Sequence, residues 1–278
     1  MPDTARALQG GTPAFDAQAA SYDARTGFPP GVGLAVAEAI IGRSGVRAGD
    51  VVLELGAGTG EIGAFLAALA PGYVGLDNSP AMLEVFRAKT APADLRLLAA
   101  DADSTWPLPT SGVRVIFASR VIHLLNPEHV AREATRVCQP GGYVMLGRVS
   151  RDADSLKERL RRRRQHLLRE TGIQSRQGEA GSRLVIESLV ETGWIDLGRD
   201  TVATWSGETS AAQVFAEWRS LSRMGSVEVP DDARAHILDE LREWAAREFG
   251  DLDRPWAYDE RYILETVQLP EHVVHRNA

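Results

Sequence analysis

Val51-Val52-Leu53-Glu54-Leu55-Gly56-Ala57-Gly58-Thr59-Gly60 decides the fold of this 278-residue chain. An apolar run ends in an acidic residue, and glycines follow at alternate positions. A buried strand that runs into such a loop brings bare backbone close to a ligand, because glycine has no Cβ to block approach and tolerates positive φ. The spacing is G-x-G-x-G, whereas the dinucleotide fingerprint is G-x-G-x-x-G. Glu54 stands just before the first glycine, where a pyrophosphate would meet an unwelcome carboxylate. A positively charged ligand fits better, so a nicotinamide oxidoreductase is disfavoured.

Outward from that loop the pattern repeats. Val74-Gly75-Leu76-Asp77 reads as a second strand ending in an acid, and Leu97-Leu98-Ala99-Ala100-Asp101-Ala102 as a third. Val113 to Ser119 is a fourth strand, and Gln139-Pro140-Gly141-Gly142-Tyr143 turns into a fifth. With these motifs in this order over roughly residues 15–150, the chain resembles the class I S-adenosylmethionine-dependent methyltransferases. It is most similar to the small "methyltransferase domain" group (type 11) that includes the ubiquinone and menaquinone C-methyltransferases. The resemblance implies an α/β fold: a doubly wound, seven-stranded, mostly parallel Rossmann-like sheet, with helical insertions roofing the site.

It also implies S-adenosyl-L-methionine as cofactor and assigns residues to it. Glu54 and the loop Gly56, Ala57, Gly58, Thr59 and Gly60 hold the methionine half. Asp77 grips the ribose hydroxyls, with Asn78 and Met82 following it. Asp101, with Ala102, recognises the adenine amino group. The backbone at Ser119 and Arg120 flanks the methionine moiety, and a helix carrying Tyr22 and Arg25 closes over the cofactor, Arg25 toward its carboxylate.

Each assignment has a plainer alternative. Asp77 also reads as a turn or N-cap acid, Asp101 as a loop acid with Asp103 as competitor, and Glu54 as a cap on the glycine loop. Arg25 also reads as a surface helix arginine, and Tyr22 as a packing aromatic. Arg120 faces an anionic acceptor or pairs with one of the many carboxylates. His123 is the catalytic candidate, because histidine titrates near neutrality and can take a proton from an acceptor hydroxyl or amine. Its alternative is packing within its own loop. Methyl transfer asks little of side chains beyond alignment and exclusion of water.

Composition narrows the rest. The formal net charge of −7 argues against a sequence-independent grip on nucleic acid. No apolar run approaches a membrane span, and no amino-terminal leader is visible. One cysteine, Cys138, allows no internal disulfide, and no zinc-type Cys/His spacing occurs. The expectation is a cytoplasmic, metal-free monomer or homodimer acting on a small-molecule methyl acceptor. An RNA or protein methyltransferase and a catalytically silent cofactor-binding protein are the alternatives.

Periodicity predicts a mobile tail over 1–14, a cofactor-binding core over 15–150, and a remainder over 151–278 that completes the sheet and adds cap helices. Strands are expected at 51–55, 73–76, 95–99, 113–118 and 142–149, with helices at 60–70, 79–89 and 127–138 between them. Ser79-Pro80 and Asn126-Pro127 read as helix caps followed by first-turn prolines. Beyond Ser150, helices at 153–172 and 209–249 are expected over the site, and the last strand, Tyr262 to Leu269, beside the fifth. The arginine-rich run from Arg159 to Arg164 reads as a solvated helix face, and Trp205, Trp218, Trp244 and Trp256 as packing residues.

Overall fold

The computed structural model describes residues 15–70, 72–90, 95–172, 178–219, 223–224 and 227–271; the expected tail over 1–14 lies outside them. A 3-10 turn, Asp16–Ser21, leads into α1 (Tyr22–Thr26) and α2 (Val32–Ser44). Strands and helices then alternate: β1 (Val51–Leu55), α3 (Gly63–Leu69), β2 (Gly72–Asp77), α4 (Pro80–Lys89), β3 (Arg96–Ala99) and β4 (Val113–Ser119). A second 3-10 turn, Ile122–Leu124, precedes α5 (Pro127–Val137) and β5 (Cys138–Arg151). The remainder comprises α6 (Leu156–Glu170), α7 (Gly178–Glu191), β6 (Ile195–Thr209), α8 (Ala211–Arg219), the short pair β7 (Arg223–Met224) and β8 (Val227–Glu228), α9 (Asp231–Phe249) and β9 (Trp256–Gln268).

The seven-stranded sheet has the order β3-β2-β1-β4-β5-β9-β6. Pairings from β3 through β5 are parallel, and β9 runs antiparallel between β5 and β6. The expected doubly wound, mostly parallel sheet is therefore present. Strand order reverses between β1 and β4, which is where open α/β sheets hold ligands.

Alternation along the strands assigns each residue a face. Leu53, Leu55, Ile116 and Ala118 point into one apolar cluster with α5 and α7. Val52, Val115 and Phe117 point into the other, with α2, α3 and α4. Fully burying one such side chain is worth roughly 1.5–3 kcal/mol, so both faces contribute heavily to stability. Glu54 shares the second face, a consequence of the two-residue period.

The expected caps form. The Ser79 hydroxyl oxygen accepts the Met82 N–H at 3.2 Å. Asn126 Oδ1 accepts from Glu128 at 3.0 Å and His129 at 3.2 Å. Some boundaries differ: α3 begins at Gly63 rather than 60, β9 begins at Trp256 rather than Tyr262, and β5 begins at Cys138, so that Pro140-Gly141-Gly142 forms an irregularity within the strand rather than a turn before it. Gly141 adopts φ +75° there. Its N–H donates to Leu269 O at 2.9 Å, and Leu269 N–H returns a bond to Gly142 O at 2.9 Å, clamping the segment to the end of β9.

Helices α6, α8 and α9 bury a core of their own, with Leu160, Phe215 and Leu241 among its members. Trp218, Trp244 and Trp256 pack against it, whereas Trp205 joins the cluster under α2. The arginine run does more than face solvent. Arg159 pairs with Glu248 on α9 and Arg161 with Glu158, while the Arg164 guanidinium lies 4.1 Å from the Trp218 ring centroid. The Arg159 and Arg164 contacts join α6 to α9 and α8, and the Arg161 pair lies within α6.

Candidate functional site

At the carboxyl ends of β1, β2 and β4 an open cleft encloses about 600 Å³ of space, part of it continuous with solvent. Of the residues expected at a site, it is lined by Tyr22, Glu54, Gly56, Ala57, Gly58, Thr59, Asp77, Met82, Ser119 and Arg120. Residues far apart in sequence thus converge because their strands are neighbours.

The glycine loop is shaped by steric exclusion. Gly56 and Gly60 adopt φ +65° and +80°, a region costly for other residues. A Cβ at Gly56 would approach Val121 to 2.7 Å, and one at Gly60 would run into the Phe86 ring. Gly60 is therefore a packing position behind the loop rather than part of the cleft lining.

Asp77 holds the loop from the next strand. Its carboxylate accepts the Gly58 N–H and the Ser79 N–H, each at 2.8 Å. Burial raises its pKa, and those two N–H donors oppose the rise. A carboxylate has about four acceptor sites, so this arrangement leaves capacity for a ligand's hydroxyls.

Glu54 is 3% exposed, with Tyr73 Oη donating to Oε2 at 2.6 Å. Burial pushes its carboxyl up to about 8, against the Tyr73 hydrogen bond. Arg120 follows β4 with φ +57°, and its guanidinium pairs with Glu61. Of the two alternatives for Arg120, the carboxylate pair is the one formed in this structure. Rings of Phe28 and Tyr22 lie 4.6 and 5.8 Å from the guanidinium carbon.

The amino-terminal segment closes one side of the cleft through Phe15 and Tyr22. Asp16 accepts from the Ser79 hydroxyl, and Asp23 accepts from Thr59 and Lys89, so the segment is tied to both the loop and α4. Arg25 instead folds back on its own turn, Nε donating to Ser21 O at 3.2 Å, and does not line the cleft.

Other expected residues lie apart from the lining. Asn78 is exposed just beyond β2. Asp101 is exposed and accepts the Asp103 N–H at 2.9 Å, closing a turn, while Ala102 is buried in the first apolar cluster. His123 sits in the 3-10 turn, where Gly181 of α7 packs so closely that a Cβ there would lie 3.1 Å from the His123 Cα. Conversely, Phe15, Glu61, Ile62, Val121 and Leu124 line the cleft without having been singled out. Glu61 had a readable signal, an acid immediately after the glycine loop; the apolar residues had none. Among the described residues none of α6, α8 or α9 lines the cleft, and these helices bury their apolar faces against one another. They connect to the cleft through Glu260, Trp205 and Phe28. Trp205 Nε1 donates to Glu260 at 3.0 Å, and the Trp205 and Phe28 rings meet edge to face at 6.1 Å.

Residues 53–146, the stretch containing these strand-end acids and the glycine loop, match the family described as "Methyltransferase domain". Over that stretch the chain is similar to methyltransferase domains, and the match covers about a third of its length. A malonyl-[acyl-carrier protein] O-methyltransferase from Serratia marcescens is 30% identical over 146 residues, covering 52% of this chain and 54% of that protein. An uncharacterized methyltransferase of Mycobacterium tuberculosis is 34% identical over 101 residues, 36% of this chain and 40% of that protein. The chain thus spans about half or less of the length of these curated relatives. Among solved structures, the YcgJ protein of Bacillus subtilis aligns with a TM-score of 0.54 at 18% identity, covering 85% of this chain and 98% of that one. The [4+2]-cyclase SpnF aligns at 0.52 and 17%, covering 86% and 81%. At such identities the structural likeness concerns the fold alone. Among the described residues no helix is long and apolar enough to cross a membrane.

Proposed function

We propose that this protein is an enzyme that transfers the methyl group of S-adenosyl-L-methionine to a small-molecule acceptor, releasing S-adenosylhomocysteine. The observation that carries the reading is Asp77, held at the end of β2 by the N–H groups of Gly58 and Ser79 and lining the cleft beside the glycine loop. A carboxylate so placed suits a ribose diol, since hydrogen bonds to ionised acceptors are strong. It is ill suited to a phosphate.

The residues fit the cofactor chemically. Gly56 and Gly58 remove side chains from the path of its methionine half, and buried Glu54 suits a neighbouring cation. Tyr22 and Phe15 shield the cleft from one side. Bound there, the sulfonium supplies an electrophilic methyl group with a good leaving centre. The protein's part is to orient the acceptor and exclude water. His123 is the candidate for receiving an acceptor's proton, and Asp101 with Ala102 the candidate for the adenine edge. The relatives named as methyltransferases support the reaction class.

The test has two arms. S-adenosylhomocysteine should raise the melting temperature and NAD should not; the reverse result would overturn the proposal. With radiolabelled donor, label should enter small molecules of a metabolite extract. Label entering total RNA or protein instead would replace the acceptor class, and tight binding without any transfer would leave a cofactor-binding protein.

A further inference from the structure

We propose that Arg120 and the aromatic side chains around it form an acceptor subsite for a small, flat, apolar molecule bearing a carboxylate. The inference rests on the methyl-transfer reading and names the acceptor's chemical class.

Position along the sheet edge supplies the first argument. Asp77 ends β2 and Glu54 lies on β1, whereas Arg120 follows β4, across the point where strand order reverses. Neighbouring strands are ~4.8 Å apart, so Arg120 stands roughly 10 Å along the edge from the strand of Asp77. A nucleoside held by Asp77 occupies the β2 and β1 side. On its far side β4 borders β5, with β9 and β6 beyond it.

Chemistry supplies the second. Among the described residues lining the cleft Arg120 is the sole cation, in company with the acids Glu54, Glu61 and Asp77. Its planar fork matches a carboxylate in a way an ammonium does not. Burial works against the guanidinium's charge, but Tyr22, Glu61 and Tyr262 outweigh it and hold the pKa above the ordinary value. The site therefore presents a permanent cation. Arg120 keeps it there at the cost of a left-handed backbone, φ +57°, which for a long side chain is the kind of strain found at ligand sites.

Glu61 supplies the third. One of its carboxylate oxygens accepts from Arg120, and the other accepts the backbone N–H of Phe28. Because Phe28 anchors it independently, Glu61 can release Arg120 to an incoming carboxylate without losing its own second partner. The surroundings suit a flat apolar body. Phe15 and Tyr22 line the cleft, while Phe28, packed edge to face on Trp205 and Tyr262 at 6.1 and 5.5 Å, backs the guanidinium from behind. Tyr262 is in turn fixed by its hydroxyl, which donates to Ser119 Oγ at 2.7 Å.

The experiment is calorimetry of benzoate, cinnamate and 1-naphthoate, each against its neutral amide, on the full chain with and without saturating S-adenosylhomocysteine. At least one acid should bind, about tenfold or more tightly than its amide. Arg120→Gln should weaken that acid by about tenfold or more while leaving S-adenosylhomocysteine affinity within about threefold. Glu61→Gln should change the acid's affinity in the opposite direction, several-fold tighter, because it removes a competing anion. This second variant keeps the test decisive if Arg120→Gln does not fold. The proposal is overturned if acid and amide bind alike, if no acid binds, or if Glu61→Gln weakens the acid. It is equally overturned if Arg120→Gln weakens S-adenosylhomocysteine instead, which would put the guanidinium on the donor side. Failure of the unaltered protein to bind S-adenosylhomocysteine is a separate result and counts against the methyl-transfer reading itself.

Discussion

Tyr73 donates its hydroxyl proton to Glu54 Oε2 at 2.6 Å across the β1–β2 pair, and both side chains are buried on the face that packs against α3 and α4. The parallel register aligns Glu54 with Gly75, so Tyr73 lies on the same face two residues earlier. The space is closed on a third side, since a Cβ at Gly63 would run into both oxygens of this pair. An acid whose pKa is pushed to about 8 is thereby held at the back of the cleft.

The first prediction concerns pH. With Glu54 raised from 4.5 to about 8, the unfolded chain gives up this proton before the folded one. Stability from this group is therefore complete at low pH and falls as pH rises across that interval, by at most about 1.4 kcal/mol per pH unit. Glu54→Gln should remove this decline, measured by denaturant unfolding across the interval. A cationic cofactor beside Glu54 favours the ionised form. Binding of S-adenosyl-L-methionine near neutral pH should consequently release protons, seen calorimetrically as a dependence of the binding heat on buffer ionisation enthalpy. Tyr73→Phe, which removes the hydrogen bond that opposes the rise, should shift that release to higher pH.

Asp77→Ala should weaken S-adenosylhomocysteine binding by roughly 1–3 kcal/mol, the scale of lost charge-assisted hydrogen bonds. Part of this loss comes through the loop, because the Gly58 and Ser79 N–H groups lose their acceptor. Asp77→Asn retains an acceptor and should lose less. Titration calorimetry of both variants checks the order; equal binding by all three proteins would remove Asp77 from the ligand.

Glu260 is the hub between sheet and cap helices. Its carboxylate accepts from Arg151 at 2.7 Å, Trp205 at 3.0 Å and Lys157 at 3.2 Å. Burial pushes the carboxyl up, but Arg151 and Lys157 outweigh it and hold the pKa below the ordinary value. The stabilisation is thus present above the ordinary carboxylate range and lost as pH falls through the lowered value. Glu260→Ala should cost about 2 kcal/mol, less than a fully buried pair because Arg151 and Lys157 are partly solvated. Denaturant unfolding measures it, with the difference narrowing in acid.

His123→Ala separates catalysis from packing. His123 lies outside the cleft lining in this structure, so the substitution should leave S-adenosylhomocysteine affinity within about threefold, and a turnover loss below about tenfold would leave it a packing residue. A general base would contribute roughly 10²-fold or more, so a loss of that size at unchanged affinity would assign it the proton-accepting role.

Much of the fold was legible because periodicity records burial directly. The runs at 51–55 and 113–118 and the caps at Ser79 and Asn126 became elements within a residue or so of their expected ends. Local chemistry sufficed there. The β5 boundary was not legible, because the Pro-Gly-Gly irregularity depends on a clamp from Leu269, far away in the chain. The same holds for the arginine run, where Arg164 stacks on Trp218 of another helix.

What the sequence determined by itself is the alternation that builds the sheet and the residue types that end its strands: Glu54, Asp77 and the glycines between them. These are local consequences of burial period, turn chemistry and the absence of a Cβ. Tertiary structure alone decided that Tyr73 holds Glu54, that Glu61 pairs with Arg120, and that Phe15 and Tyr22 close the cleft while α6, α8 and α9 stand aside. Such pairings depend on which strand ends become neighbours and on how side chains share one enclosed space. Those quantities are set by packing in three dimensions, and no spacing along the chain records them.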